Sequence, residues 1–175
     1  VTFVTDSFTI DKEYREEVKE IVNTFTSEED SSAAMKTLTV KVWQIKDGKK
    51  QPSELTVTVL DKIADKVKAV FDEIFSGKEQ FPIYSLGAYA WRAPMSSGRD
   101  SEHNFGTAID INPNENYCLY SDGSTVGECY KPYENPYSIT PYGDVVRAFE
   151  KHGFTWGADS WKSPKDYMHF SYLGT

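Results

Sequence analysis

Hydrophobic positions in the first third of the chain repeat with two different periods. Between residues 11 and 25 they return every three or four positions, which predicts an amphipathic helix. Residues 27–34 are small, polar and acidic, and favour a loop. Residues 38–42 and 55–59 alternate between apolar and polar, as strands with one buried face do. The turn dipeptide Asp47-Gly48 lies between them, so we predict a hairpin with some extra loop.

A helical period returns after residue 60. Asp61 is the predicted N-cap and Gly77 the predicted terminator of this second helix. Its buried face would consist of Ile63, Val67, Val70, Phe71 and Ile74.

The remaining segments are shorter. We expect residues 81–92 to be extended, 93–106 to form a loop, 107–112 to form a strand, and 113–142 to form a long excursion rich in Pro, Asn and Tyr. A third helix over 144–152 and a last strand over 167–172 complete the pattern. The predicted fold class is α+β: a single domain in which helices pack on an antiparallel sheet.

Charge and hydropathy exclude several classes of function. The net charge of −8 argues against a nucleic-acid-binding surface. No run of about 18 apolar residues is present, so we predict no transmembrane segment in this chain. The chain begins at Val1 without Met, and we therefore expect a mature or trimmed fragment from which a signal or anchor segment has been removed.

Two cysteines, Cys118 and Cys129, flank a segment rich in turn-forming residues. We favour a disulfide between them, which would stabilise the fold by ~3 kcal/mol and indicate an extracellular location. Two free thiols are the alternative.

Candidate chemistry is concentrated around two of the three histidines. His103 lies in a polar loop just before the strand that contains Asp110. In that strand Ile109 and Ile111 share one face, and Asp110 lies on the other. The last strand has the same arrangement, because His169 lies on the face opposite Met168 and Phe170.

Two imidazoles and one carboxylate, with a fourth position left to water, form the donor set of a catalytic zinc site. Asp166 is then a candidate general base, and Arg92 a candidate for stabilising an oxyanion or holding a substrate carboxylate. Each residue alone would more often be a surface or structural group, and His152, at a helix end, is predicted to be structural. The sequence lacks the patterns of an EF-hand, a serine-hydrolase elbow and a His-Glu-x-x-His helix.

The segment from Ser101 to Asp110 resembles the Ser-x-His-x-x-Gly-x-Ala-x-Asp signature of VanY-like D-alanyl-D-alanine carboxypeptidases and of the related L-alanyl-D-glutamate endopeptidases. Asp166-Tyr-Met-His169 resembles the second motif of this family, and the likeness covers about residues 80–175. It implies a Hedgehog/DD-peptidase-like zinc site with His103, Asp110 and His169 as ligands and Asp166 as the base.

The resemblance also implies roles for residues near the substrate. Arg92 best matches the family's upstream arginine, Ser101 its motif serine, and Trp161 ends a run similar to the family's Trp-Gly-Gly-Asp-x-Trp. The carboxypeptidases usually have Glu where this chain has Asp166, and Asp there is more similar to the endopeptidase branch. Which stem-peptide bond is cut therefore stays open.

These observations predict a zinc peptidase that acts on bacterial peptidoglycan stem peptides, outside the cell or associated with the wall, and that is a monomer. Residues 1–60 would be an N-terminal helix and hairpin elaboration, and 61–175 the peptidase core. The alternatives are a non-catalytic cell-wall-binding module that retained the fold, and a zinc hydrolase of an unrelated peptide or amide.

Overall fold

The computed structural model describes residues 3–92, 100–160 and 162–174, with residues 3–10 described at the level of the backbone. Its longest strands, β1 (Met35–Lys46) and β2 (Lys49–Leu60), form an antiparallel hairpin. Asp47 and Gly48 alone join them, with φ of 52° and 74°. Positive φ at both positions is typical of a two-residue type I′ turn. The predicted hairpin is confirmed, but the extra loop is wrong, because pairing continues up to the turn.

The first helix, α1 (Phe3–Asn23), begins earlier than predicted. The loop predicted over 27–34 is wrong, because α2 (Glu28–Ala33) lies there. Ser27 caps this helix by accepting a hydrogen bond from the Asp30 amide at 3.1 Å. Acidic residues in its first turn interact favourably with the helix dipole, so the residues that suggested a loop are those of a helix N-terminus.

The second predicted helix is α3 (Ala64–Ser76), which follows a short 3₁₀ helix, Asp61–Ile63. All five residues predicted for its inner face are buried. The predicted cap is wrong, because the N-cap position belongs to Ile63, which makes no side-chain capping bond. Two further helices are α4 (Asp144–Lys151) and the short α5 (Gly157–Ser160).

A single hydrophobic cluster joins the two ends of the chain. It includes Val18 of α1, Val40 of β1 and Phe71 of α3. Phe149 of α4 stacks on Phe170 near the C-terminus with ring centroids 4.0 Å apart. The fold is thus α+β, as predicted. The boundary at residue 60, between the N-terminal helix and hairpin and the predicted peptidase core, stays a prediction.

A four-stranded antiparallel sheet is the framework for the site. Its order is β3 (Leu86–Gly87), β4 (Ala108–Ile111), β9 (His169–Ser171) and β7 (Thr155–Trp156). The strands predicted over 107–112 and 167–172 are therefore present in shorter form. The extended stretch 81–92 contributes only the two residues of β3.

The excursion at 113–142 contains a hairpin of β5 (Asn116–Leu119) and β6 (Thr125–Tyr130), which β8 (Lys165–Asp166) extends. The disulfide we favoured is not formed: Cys118 and Cys129 are free thiols. The strand register explains this, because Cys118 lies opposite Val126 instead of Cys129.

None of the helices in the described part of the chain combines the length and the apolar character needed to cross a lipid bilayer.

Candidate metal centre

The three predicted ligands lie together in the structure. His103, Asp110 and His169 each offer one ligand atom, and these atoms all lie within 4.8 Å of one another. The side chains are withdrawn from solvent, with exposed fractions of 5%, 12% and 8%. The structure thus contains a buried group of two imidazoles and a carboxylate that could hold a metal ion.

Asp110 and His169 are brought together by strand pairing. They lie directly opposite each other in the β4–β9 register, and Asp110 Oδ1 is 3.0 Å from His169 Nδ1. Their neighbours Ile109 and Phe170 also form a pair and are fully buried in the core. The alternation in the sequence therefore assigned the faces of both strands correctly.

His103 comes from outside the sheet, on a 3₁₀ helix (Glu102–Phe105) within the predicted loop. Ser101 caps this helix, and Gly106 ends it in the left-handed conformation, with φ of 64°. A Cβ atom at residue 106 would lie 2.4 Å from the sulfur of Met35 and 2.5 Å from the Leu60 amide nitrogen. Close contact with the hairpin therefore fixes the path of the chain beside His103.

The hydrogen bond of His103 Nδ1 leaves the other ring nitrogen, Nε2, in a position that favours a cation. Its Nδ1 lies 2.6 Å from the Ala88 carbonyl oxygen, an acceptor, so Nδ1 bears the proton. In the neutral ring, Nε2 is then also an acceptor, yet it lies 3.2 Å from Asp110 Oδ2. Two acceptors at this distance require a proton or a metal ion between them. The donor set fits a divalent cation with nitrogen and oxygen ligands.

The charges of the cluster reinforce each other. Burial acts to raise the pKa of Asp110, but the contacts of its two oxygens with His103 and His169 outweigh burial and hold that pKa well below its usual range. Burial would likewise lower the pKa of His169, but the hydrogen bond and charge of Asp110 raise it above its ordinary value. Asp110 is therefore an anion poised to bind a cation.

Asp166 lies at the end of β8, opposite Cys118 of β5. Its Oδ1 is buried and, within the described part of the chain, has no hydrogen-bond partner. Burial, opposed by the charge of His169, raises the pKa of this carboxyl to about 6. An unpaired carboxylate oxygen with a raised pKa has the properties of a general base.

The positions of Arg92, Ser101 and Trp161 do not test the roles predicted for them. Arg92 does not end a strand, since β3 stops at Gly87; its backbone is held by the Asn104 side chain, with Arg92 N 2.7 Å from Asn104 Oδ1. Ser101 is the N-cap described above, and Trp161 lies outside the described residues. His152 pairs with Glu73 at 2.9 Å, in keeping with the structural role predicted for it.

Glu102 is a buried residue of the site that the sequence did not reveal, and it is 4% exposed. Its Oε1 accepts hydrogen bonds from Leu173 N at 2.9 Å and Thr107 Oγ1 at 3.1 Å, and its Oε2 accepts one from Ser171 Oγ. It therefore links the helix that carries His103 to the strand that carries His169. A glutamate in a polar loop would ordinarily be exposed, and adjacency to His103 was the available signal.

Comparison with known proteins addresses this part of the chain. Residues 95–172 match the model of the D-alanyl-D-alanine carboxypeptidase family, which is VanY-like. This segment is therefore similar to that peptidase family. The match contains the three clustered residues and Asp166, and confirms the resemblance found in the motifs. Arg92 lies outside the matched residues. Comparisons with curated proteins and with solved structures gave no significant match.

Proposed function

We propose that the protein is a zinc-dependent peptidase that hydrolyses peptide bonds in the stem peptides of bacterial peptidoglycan. The observation that carries this proposal is the pair of acceptors, His103 Nε2 and Asp110 Oδ2, that face each other across 3.2 Å inside a peptidase-family segment. A catalytic zinc site uses three protein ligands of this kind and keeps one position open.

His103 Nε2, Asp110 and His169 Nδ1 are the atoms proposed to hold the metal. The Ala88 carbonyl fixes the tautomer and orientation of the His103 ring. Zinc, when bound, supplies a Lewis acid that polarises a carbonyl group and lowers the pKa of water. The surrounding burial keeps bulk water away and strengthens these interactions.

Asp166 is proposed to act as the general base. Its buried Oδ1 is available to accept a proton from the attacking water and to return that proton to the leaving amine. Arg92 is proposed to hold a substrate carboxylate or the oxyanion, with Ser101 and Trp161 beside the substrate.

Two bonds are candidates, D-Ala–D-Ala at the stem terminus and L-Ala–D-Glu within the stem. Asp in place of Glu at position 166 is more similar to the endopeptidase branch, and the shorter side chain would place the base differently, so the bond that is cut stays open. Action on peptidoglycan implies a place outside the cell or at the wall of a bacterium, and we propose a monomer.

Digestion of defined muropeptides, followed by mass spectrometry, tests the proposal and identifies the bond. The zinc-loaded protein should release either D-Ala or a fragment cut after L-Ala. His103→Gln should abolish cleavage and lower the zinc content from about one ion per chain, whereas the matched control His152→Gln should retain both. If the zinc-loaded protein binds purified cell walls without cleaving any muropeptide, the wall-binding alternative replaces the enzyme.

A further inference from the structure

Three Pro-Tyr dipeptides occur within residues 131–143, a segment called here the Pro-Tyr loop. The tyrosine of the middle dipeptide, Tyr137, packs edge-on against Tyr84 with ring centroids 4.9 Å apart. The tyrosines of the outer two, Tyr133 and Tyr142, are 80% and 84% exposed. One tyrosine thus anchors the loop, and two point into solvent.

The two exposed tyrosines have an uncommon backbone conformation. Tyr133 and Tyr142 have φ of 71° and 60°, values that bulky residues rarely adopt. Hydrogen bonds across the loop maintain this geometry, among them Lys131 N to the buried Ser138 Oγ at 3.0 Å and Gly143 N to Thr140 O at 3.0 Å. The loop therefore holds two aromatic rings at the surface where they contribute little to the core.

Both rings line one cavity of about 520 Å³, whose wall includes the buried Phe81. The formal charges of its lining cancel, because Lys50 and Arg147 are balanced by Glu79 and Glu134. The two cations are engaged within the protein: Lys50 Nζ donates to the Glu79 carbonyl at 2.7 Å, and Arg147 pairs with Asp144 at 2.7 Å. The cavity is therefore poorly suited to a strongly charged ligand.

We propose that this cavity is a binding site for a sugar chain, whose pyranose rings stack on Tyr133 and Tyr142. A pyranose has an apolar C–H face for an aromatic ring and a hydroxyl rim for polar edges, and tyrosine combines an apolar face with a polar tip. The choice of sugar rests on the proposed function, because the stem peptides of peptidoglycan are attached to a glycan strand of N-acetylated sugars.

A buried asparagine connects this cavity to the metal centre. Asn112 follows Asp110 by two residues, is fully buried, and donates through Nδ2 to the carbonyls of Tyr137 at 3.1 Å and Pro82 at 3.0 Å. Asn116 also donates to Tyr137 O, at 2.9 Å. The Pro-Tyr loop is thus fastened to the residue that directly follows the strand of Asp110, so a glycan held there would have a fixed position relative to the reacting peptide.

Titration of the full chain with N-acetylchitotetraose, followed by NMR or calorimetry, tests this site. The probe contains no peptide, so its binding is independent of hydrolysis. Shift changes should centre on the Pro-Tyr loop, including Gly143. Each stacked ring should contribute about twofold to tenfold in affinity, so the double variant Tyr133→Ala/Tyr142→Ala should bind about fourfold to a hundredfold more weakly.

Tyr120→Ala is the matched control, because Tyr120 is 44% exposed and lies outside the cavity lining; it should bind as the wild type does. No binding to the wild type, shift changes centred on the metal cluster, or equal affinity of the double variant would each overturn the proposal. Muropeptide cleavage is measured separately. Cleavage without sugar binding refutes the sugar site alone, and sugar binding without cleavage refutes the enzyme alone.

Discussion

Replacing Glu102 with Gln keeps the shape of the buried side chain and removes its charge. The Gln oxygen can still accept from Leu173 N and Thr107 Oγ1, but its amide group then meets Ser171 Oγ, which also accepts from Gly174 N at 2.7 Å. One charge-assisted hydrogen bond between the His103 helix and the His169 strand is therefore lost.

The expected size of the effect follows from that loss. A hydrogen bond to a charged group contributes about 1.5–3 kcal/mol. We expect the metal-free variant to be less stable by about 2 kcal/mol, which for a chain of this size lowers Tm by about 4–8 °C. Residues that orient metal ligands typically contribute about tenfold to hundredfold to metal affinity, so zinc should bind more weakly by that factor.

Competition with a chromophoric chelator measures zinc affinity, and calorimetry measures Tm. Val146→Ala, a core truncation on α4, should cost a similar ~2 kcal/mol but leave zinc affinity unchanged. If Glu102→Gln lowers Tm and binds zinc as tightly as the wild type, Glu102 supports the fold alone and the reasoning is refuted.

Three further predictions concern the base, a glycine and the thiols. Because burial raises the pKa of Asp166 to about 6, kcat/KM should fall as the pH falls and the carboxylate is protonated. The acidic limb should lie at or below about pH 6, since a bound cation lowers that pKa. Asp166→Asn should retain zinc and remove the activity, and an active variant would exclude Asp166 as the base. Gly106→Ala should unfold the protein or destabilise it by more than ~3 kcal/mol in denaturant titrations. Gly123→Ala, with open space around it, should cost only about 1 kcal/mol. Equal losses of stability would contradict the close contact of residue 106 with the β1–β2 hairpin. Burial and the charge of Asp166 raise the pKa of Cys118 to about 12, so a thiol reagent should modify only Cys129 in the native protein and both thiols after unfolding. If the intact protein has a mass two hydrogens lower than that of the dithiol form, the two cysteines form a disulfide instead.

The clustered residues proposed as metal ligands could be found in the sequence because strand alternation is a local signal. Asp110 and His169 each lie between apolar neighbours that must face the core, and with only three histidines in the chain each could be weighed individually. The face assignments needed no knowledge of which strands pair.

Features that depend on distant parts of the chain could not be predicted in this way. Strands β3, β7 and β8 are two residues long, too short to leave any alternation. Glu102 is buried because Ser171 and Leu173 reach it from about 70 positions away along the chain. The cap of α2 was missed for another reason: serine and acidic residues favour loops and helix N-termini alike.

The cross-strand pair of Asp110 and His169 ties the proposed metal centre to the folding of the sheet. A slip of one residue between β4 and β9 would bring Asp110 opposite a core side chain and turn His169 toward the hydrophobic interior. A misaligned chain therefore loses the proposed ligand His169 and the pairing that holds it beside Asp110. If the proposed metal binds, its capture would report that β4 and β9 have paired correctly, and the bound ion would in turn favour that alignment over every neighbouring one.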